Sequence, residues 1–205
     1  MADHLKPIVE ALIFASPEPL TRKALYRLLD GEPREDVDAA LAAVCADYTR
    51  PGGLQIVEVA GGYQIVTRAE LHEWVRKLFH ERTTQKLSVQ SLETLAVIAY
   101  KQPITAPEIA EIRGVTSSGG VLSTLIERKL IKTVGRKQVI GRPFMYATTR
   151  EFLERFGLND LSDLPKVEEM SDALGFELPS GLLDPGTAPT ALPFDEGDGA
   201  DGTVH

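Results

Sequence analysis

The sequence predicts a helix-dominated α+β chain: two tandem winged helix-turn-helix domains followed by a disordered acidic C-terminal tail. Three observations carry this expectation. Residues 135–149, GRKQVIGRPFMYATT, hold two short apolar or aromatic runs around a Gly-Arg-Pro turn, with Arg136, Lys137 and Arg142 at or near it. Turn residues between β-favouring runs read as a hairpin, and a basic hairpin closing a helical unit is the pattern of a winged helix. The unit is then found twice, and its two copies precede 40 residues that hold Lys166 against nine acids.

In the first unit, Leu5, Ile8, Val9, Leu12 and Ile13 fall at i, i+3, i+4, i+7 and i+8, one apolar helix face. Pro17 and Pro19 interrupt it, and Thr21 is the N-cap candidate for a second helix burying Leu25, Leu28 and Leu29. A third helix from about 34 to 48 carries Val37, Leu41, Val44, Cys45 and Tyr48 on one side. GLQIVEVAGGYQIVTR reads as a hairpin turning at Gly61-Gly62. Thr67-x-x-Glu70 has the form of a capping box, with Leu71, Trp74, Val75 and Leu78 as the stripe of a fourth helix.

The second unit repeats this order. Ser88 is an N-cap candidate, and ETLAVIAYKQPIT from Glu93 echoes EALIFASPEPLT from Glu10. Thr105-x-x-Glu108, with Pro107 in the first turn, caps a short helix ended by Arg113-Gly114. Ser117 and Ser118 precede a third helix with Val121, Leu122, Leu125, Ile126 and Leu130 on its apolar side. After the hairpin, Thr148-x-x-Glu151 is a second capping-box pattern. Its exit matches the first unit's at an offset of 81 residues, and the first helices match at 83, so two related units are the simplest account. Gly157 suits a left-handed helix end, with Leu158 turning back on Leu153. The expected domains are 1–82, a linker at 83–87, 88–165 and a tail at 166–205.

Charge narrows the function classes. The net −8 divides into −2 for residues 1–86, +2 for 87–165 and −8 for 166–205. A nearly neutral body is a weak footprint for DNA binding. The single cysteine, Cys45, rules out an internal disulfide framework and reads as a small helix residue. No apolar run approaches a membrane span, and an early Asp3 with Glu10 inside the first apolar stretch argues against a signal peptide. Leu174, Phe176, Leu178, Leu182 and Leu183 mark a patch within a tail that otherwise reads as a linker.

Catalytic motifs fail on mechanism. Gly197-x-Gly199-x-x-Gly202 spells a dinucleotide fingerprint but has no strand before it and no helix after it. His72-Glu73-x-x-Arg76 has arginine where a zinc protease needs its second histidine, and His80 stands alone. Nothing pairs a nucleophile with a base, so no enzyme, metal or cofactor is expected. Nucleic acid is the serious rival. Residues 128–142 contain six bases and no acid: Arg128, Lys129, Lys132, Arg136, Lys137 and Arg142. Base contacts, however, come from the start of the recognition helix and are usually made by Arg, Lys, Asn or Gln. Here that stretch is SSGGVLST, which has none of them. A solvated surface or a protein contact is therefore favoured, with Arg136, Lys137, Arg142, Phe144 and Tyr146 as candidate partner-binding residues; Arg136 and Arg142 can pair with phosphate or with a partner's acidic side chains. The apolar first helix suits a second copy of the chain or its own hairpin.

ETLAVIAYKQPIT, then IRGV, then GRKQVIGRPFMYATTREFLERFGLNDLSDLP closely resembles the bacterial segregation and condensation protein B family, and EALIFASPEPLT resembles that family's opening helix. The resemblance covers about residues 5–165, with the segment 116–120 departing from the family pattern. It implies a non-enzymatic accessory subunit with two winged-helix domains, homodimeric chiefly through the first. It implies binding to the kleisin, segregation and condensation protein A, and through it to the SMC ATPase of a condensin-like complex for chromosome condensation and segregation. The implied place is the cytoplasm, at the nucleoid and not in a membrane, with a weak nonspecific DNA contact left open. The alternative class is a DNA-binding winged-helix transcriptional regulator.

Overall fold

A computed structural model describes residues 4–78 and 86–166. Residues 83–85 of the expected linker, His80, the tail from 167 and its glycine string lie outside the described residues. Two compact units emerge, Met1–Lys86 with Leu153–Asp160, and Leu87–Phe152 with Leu161–His205.

The first unit runs α1 (Leu5–Ala15), β1 (Leu20–Thr21), α2 (Arg22–Leu28), α3 (Arg34–Asp47), β2 (Leu54–Val59), β3 (Gly62–Thr67), a 3-10 turn at Ala69–Leu71 and α4 (His72–Leu78). Helical spacing in α1 and α3 puts Leu5, Val9, Ile13, Val37, Leu41 and Val44 into one cluster with Leu25 and Tyr63. Each such buried aliphatic side chain contributes about 1.5–3 kcal/mol of transfer free energy. Thr21 caps α2 by accepting from the Ala24 N–H at 3.1 Å. Hydroxyls tie the helices at their rims: Tyr48 donates to Glu10 Oε1 at 2.8 Å, and Tyr26 to the Asp38 carboxylate at 2.7 Å. The sheet is antiparallel in the order β1-β3-β2.

Three expectations for this unit need correction. The hairpin turns at Ala60-Gly61, whose φ angles are +51° and +70°, and not at Gly61-Gly62. Two successive left-handed residues match the right-handed twist of the flanking strands. Gly62 already lies in β3, opposite Val59 and Thr21. It must be glycine for another reason: a Cβ there would lie 2.7 Å from the backbone C and O of Pro19. Leu28 is 53 % exposed, because α2 ends there after only seven residues and Leu25 alone of its leucines is buried. Thr67 ends β3 as the partner of Leu54, and no side-chain cap bond is made at the helix start. The chain instead enters a 3-10 turn, and α4 buries none of its residues.

The second unit repeats the element order: α5 (Val89–Lys101), β4 (Ile104–Thr105), α6 (Ala106–Arg113), α7 (Gly119–Glu127), β5 (Ile131–Arg136) and β6 (Phe144–Thr148); α8 (Arg150–Phe156) begins in this unit, is counted with the first from Leu153 on, and is followed by a 3-10 turn at Leu161–Asp163 in the second. Its sheet order, β4-β6-β5, is the same permutation as in the first unit. Leu95, Ile98, Ile109, Leu122, Leu125, Leu130 and Ile131 are buried, whereas Ile126 is exposed. Ser88 accepts from the Ser91 N–H at 3.2 Å and starts α5. Thr105 and Glu108 form the expected capping box, and Gly114 ends α6 at φ +63°.

The Thr148 box is corrected by one residue. The Thr148 N–H and hydroxyl both donate to the buried Gln102 Oε1, at 2.7 and 3.0 Å. With Thr148 committed there, Thr149 caps α8, accepting from the Phe152 N–H at 3.3 Å. The helix end follows expectation: Gly157 has φ +68°, and the Leu158 N–H donates to Leu153 O at 2.9 Å. Arg113 is buried against Glu93 at 2.7 Å and the Thr94 hydroxyl oxygen at 2.8 Å.

Candidate protein-binding surfaces

The wing is built by β5 and β6, paired from Ile131↔Thr148 to Arg136↔Phe144 with an irregularity between Thr133 and Gly135. Its loop is closed by two backbone bonds of 2.9 Å, Lys137 N–H to Pro143 O and Arg142 N–H to Val139 O. Gly141 and Arg142 take φ +84° and +41°. Positive φ costs glycine little, but it strains an arginine, a cost usually met at functional or tightly specified sites.

Among the five predicted residues, Arg136, Arg142 and Phe144 are exposed, while Lys137 and Tyr146 are half-buried. The Arg136 guanidinium lies 4.0 Å from the centre of the Phe144 ring, and its Nη1 donates to Arg142 O at 3.4 Å. These three therefore form one cluster. Lys137 is held elsewhere: its Nζ donates to Glu108 Oε1. Glu108 Oε2 accepts from the Thr105 N–H at 2.9 Å and its hydroxyl at 2.6 Å. Burial raises the proton affinity of Glu108, but the bonds from Lys137 and Thr105 outweigh it and hold the carboxyl below its usual range. Tyr146 pairs with Ile104 and Thr133 in the centre of its sheet. Sequence reasoning passed over Val139 and Ile140, which are exposed at the tip, Ile140 fully. The available signal was an apolar pair inside a turn, where no core lies within reach.

A wing of this composition differs from a simple phosphate clamp, because its exposed apolar side chains are as prominent as its cations. Throughout α7, GGVLSTLIE, there is no Arg, Lys, Asn or Gln, so the helix lacks the bidentate readers of guanine and adenine.

The first unit exposes apolar surface of its own. Leu5, Val9 and Ile13 face the core, yet Phe14 remains 72 % exposed. On α4, Trp74 and Leu78 are 69 % and 81 % exposed, with Lys77 Nζ 4.3 Å from the Trp74 ring centre. Isolated exposed hydrophobics are ordinary, but a helix that buries none of its apolar stripe marks an unfinished contact.

A depression of about 340 Å³ beside α3 is lined by Cys45, Tyr48, Glu58, Tyr63 and Arg68. Burial, with Glu58 nearby, pushes the Cys45 thiol up, away from reactive thiolate. Among the described residues no group of His, Cys, Asp and Glu could hold a metal ion, and no helix is long and apolar enough to cross a membrane.

Two repeated wing-bearing units define a tandem winged-helix protein. The family model described as "Segregation and condensation complex subunit ScpB" matches residues 7–167. The chain belongs to that family and is a subunit of the segregation and condensation machinery. Segregation and condensation protein B of Syntrophotalea carbinolica is 48 % identical over 170 residues, covering 82 % of this chain and 85 % of that one. The protein of the same name from Symbiobacterium thermophilum is 46 % identical over 179 residues, covering 87 % and 80 %. The crystal structure of ScpB from Mycobacterium tuberculosis is 36 % identical and covers 77 % of this chain and 98 % of that one, with a TM-score of 0.36; membership rests on the sequence matches.

Proposed function

We propose that the chain is a non-enzymatic accessory subunit of a condensin-like SMC–kleisin complex. It pairs with a second copy through an N-terminal domain at 1–82, joined by 83–87 to a C-terminal domain at 88–165. It binds the kleisin, segregation and condensation protein A, and reaches the SMC ATPase through it, in the cytoplasm at the nucleoid. The observation that carries this reading is the family match over residues 7–167. Two features support it. Phe14, Trp74 and Leu78 leave apolar surface that a second copy can cover. Arg136, Arg142 and Phe144, with Lys137 and Tyr146 beside them, give the wing a mixed cationic and apolar face suited to an acidic, apolar protein segment.

The test is co-purification with the kleisin, with mass measured by light scattering. A dimer that captures the kleisin is expected; a monomer that ignores it sinks the proposal. The rival DNA-binding regulator would show tight duplex binding by the protein alone, falling steeply with salt and depending on Arg136 and Arg142.

A further inference from the structure

The wing and the tail of this chain have opposite charge and similar apolar content. The run from Arg128 to Arg142 has six bases and no acid. At its outer end Val134, Val139, Ile140 and Phe144 are exposed beside Arg136 and Arg142. Residues 168–184, EEMSDALGFELPSGLLD, contain five acids interleaved with Leu174, Phe176, Leu178, Leu182 and Leu183. We infer that this acidic segment of the same chain docks on the wing, its leucines and Phe176 covering Ile140 and Phe144 while its carboxylates meet Arg136 and Arg142.

Where the tail departs makes the contact attainable. The Tyr100 hydroxyl donates to Pro165 O, fixing the departure point at the end of α5. Two residues on, Gln102 holds Thr148, the last residue of β6. The far end of β6 at Phe144 is therefore about one strand away, about 17 Å for five residues at roughly 3.4 Å each, and the four steps from Phe144 to Ile140 add at most about 13 Å. Ten residues, 167–176, span up to about 33–36 Å when extended, so Phe176 reaches Phe144 readily and Ile140 when the segment is close to extended. Tethering keeps the segment at an effective concentration in the millimolar range. A contact too weak to form between separate molecules is thereby populated. Duplex DNA would satisfy the arginines but leave Val139, Ile140 and Phe144 without apolar partners, which is why the tail is the better occupant. The consequence is competition: any protein or nucleic acid approaching the wing has to displace the tail. This inference concerns the chain alone and does not depend on the kleisin reading.

The test follows isoleucine methyl signals by NMR in the full chain, comparing the wild type with a Phe176→Ser/Leu178→Ser variant. Docking is expected to move the Ile140 methyl between the two proteins while core methyls such as Ile13 and Ile98 stay fixed, showing that both remain folded. The wild-type Ile140 signal should converge on the variant's as salt rises from about 0.05 to 0.5 M, at a position independent of protein concentration. An Ile140 signal unchanged by the substitutions overturns the inference. A shift that grows with protein concentration overturns it in favour of the tail of another copy. A short DNA duplex that binds wild type and variant equally well, moving Ile140 alike in both, also overturns it, because an occupied wing must lose affinity.

Discussion

Replacing Gly62 with alanine places a Cβ 2.7 Å from Pro19 C and O, and 3.0 Å from Leu20 C. All three atoms are backbone, so no rotamer change relieves the clash. Strand β1 must instead move off β3, loosening the Leu20↔Tyr63 and Thr21↔Gly62 pairs. Overpacking of this kind costs about 1–3 kcal/mol, and each weakened backbone hydrogen bond adds about 0.5–1.5 kcal/mol. The expected loss is thus about 2–4 kcal/mol, which at about 4–8 °C per kcal/mol for a domain of this size lowers the first unit's melting temperature by at least ~8 °C. Gly61→Ala is the control. Its Cβ meets open space, and only the left-handed backbone at φ +70° opposes it, a cost of about 1–2 kcal/mol. Calorimetry of the full chain, with hydrogen exchange at β3 amides to assign the transition, separates the two. The close-approach argument fails if Gly62→Ala melts with the wild type, or if Gly61→Ala is the more damaging.

Other substitutions probe the remaining interactions. Gln102→Ala strands the buried N–H and hydroxyl of Thr148; at about 1–3 kcal/mol per unsatisfied group, urea unfolding of the second unit should show a loss of at least ~2 kcal/mol. Arg113→Ala leaves Glu93 without its partner in a half-buried setting, and a loss of about 1–3 kcal/mol is expected in the same assay. Glu108 has a folded pKa below its unfolded one, so its contribution is present at neutral pH and is lost as pH falls below the ordinary glutamate value of about 4.3. Acid titration of the second unit should therefore show a smaller stability loss in Glu108→Gln than in the wild type. Trp74→Asp with Leu78→Asp should leave helix content unchanged, because α4 buries neither residue, while light scattering reports a halved mass.

Much of this protein was legible locally. Helical spacing found the core faces of α1 and α3, because a periodic apolar stripe has one way to hide from water. Thr21, the Thr105–Glu108 pair and Gly157 were readable because a cap is chosen by bonds that reach only three or four residues. The repeat and the wing string identified the family by themselves.

Tertiary structure decided what depended on a distant partner. Gly61 and Gly62 look alike in sequence; the approach of Pro19 shows which one turns the chain and which makes room for β1. Thr148 and Thr149 are interchangeable as caps until Gln102, 46 residues earlier, engages the first. Lys137 belonged to the wing's positive charge until Glu108 claimed it, and Ile140 counted as one more apolar residue until the fold left it at the tip. Sequence sets what each residue can do within a turn or two. Which of those capacities is used follows from long-range contacts, because they alone determine which polar group is satisfied and which apolar one stays in water.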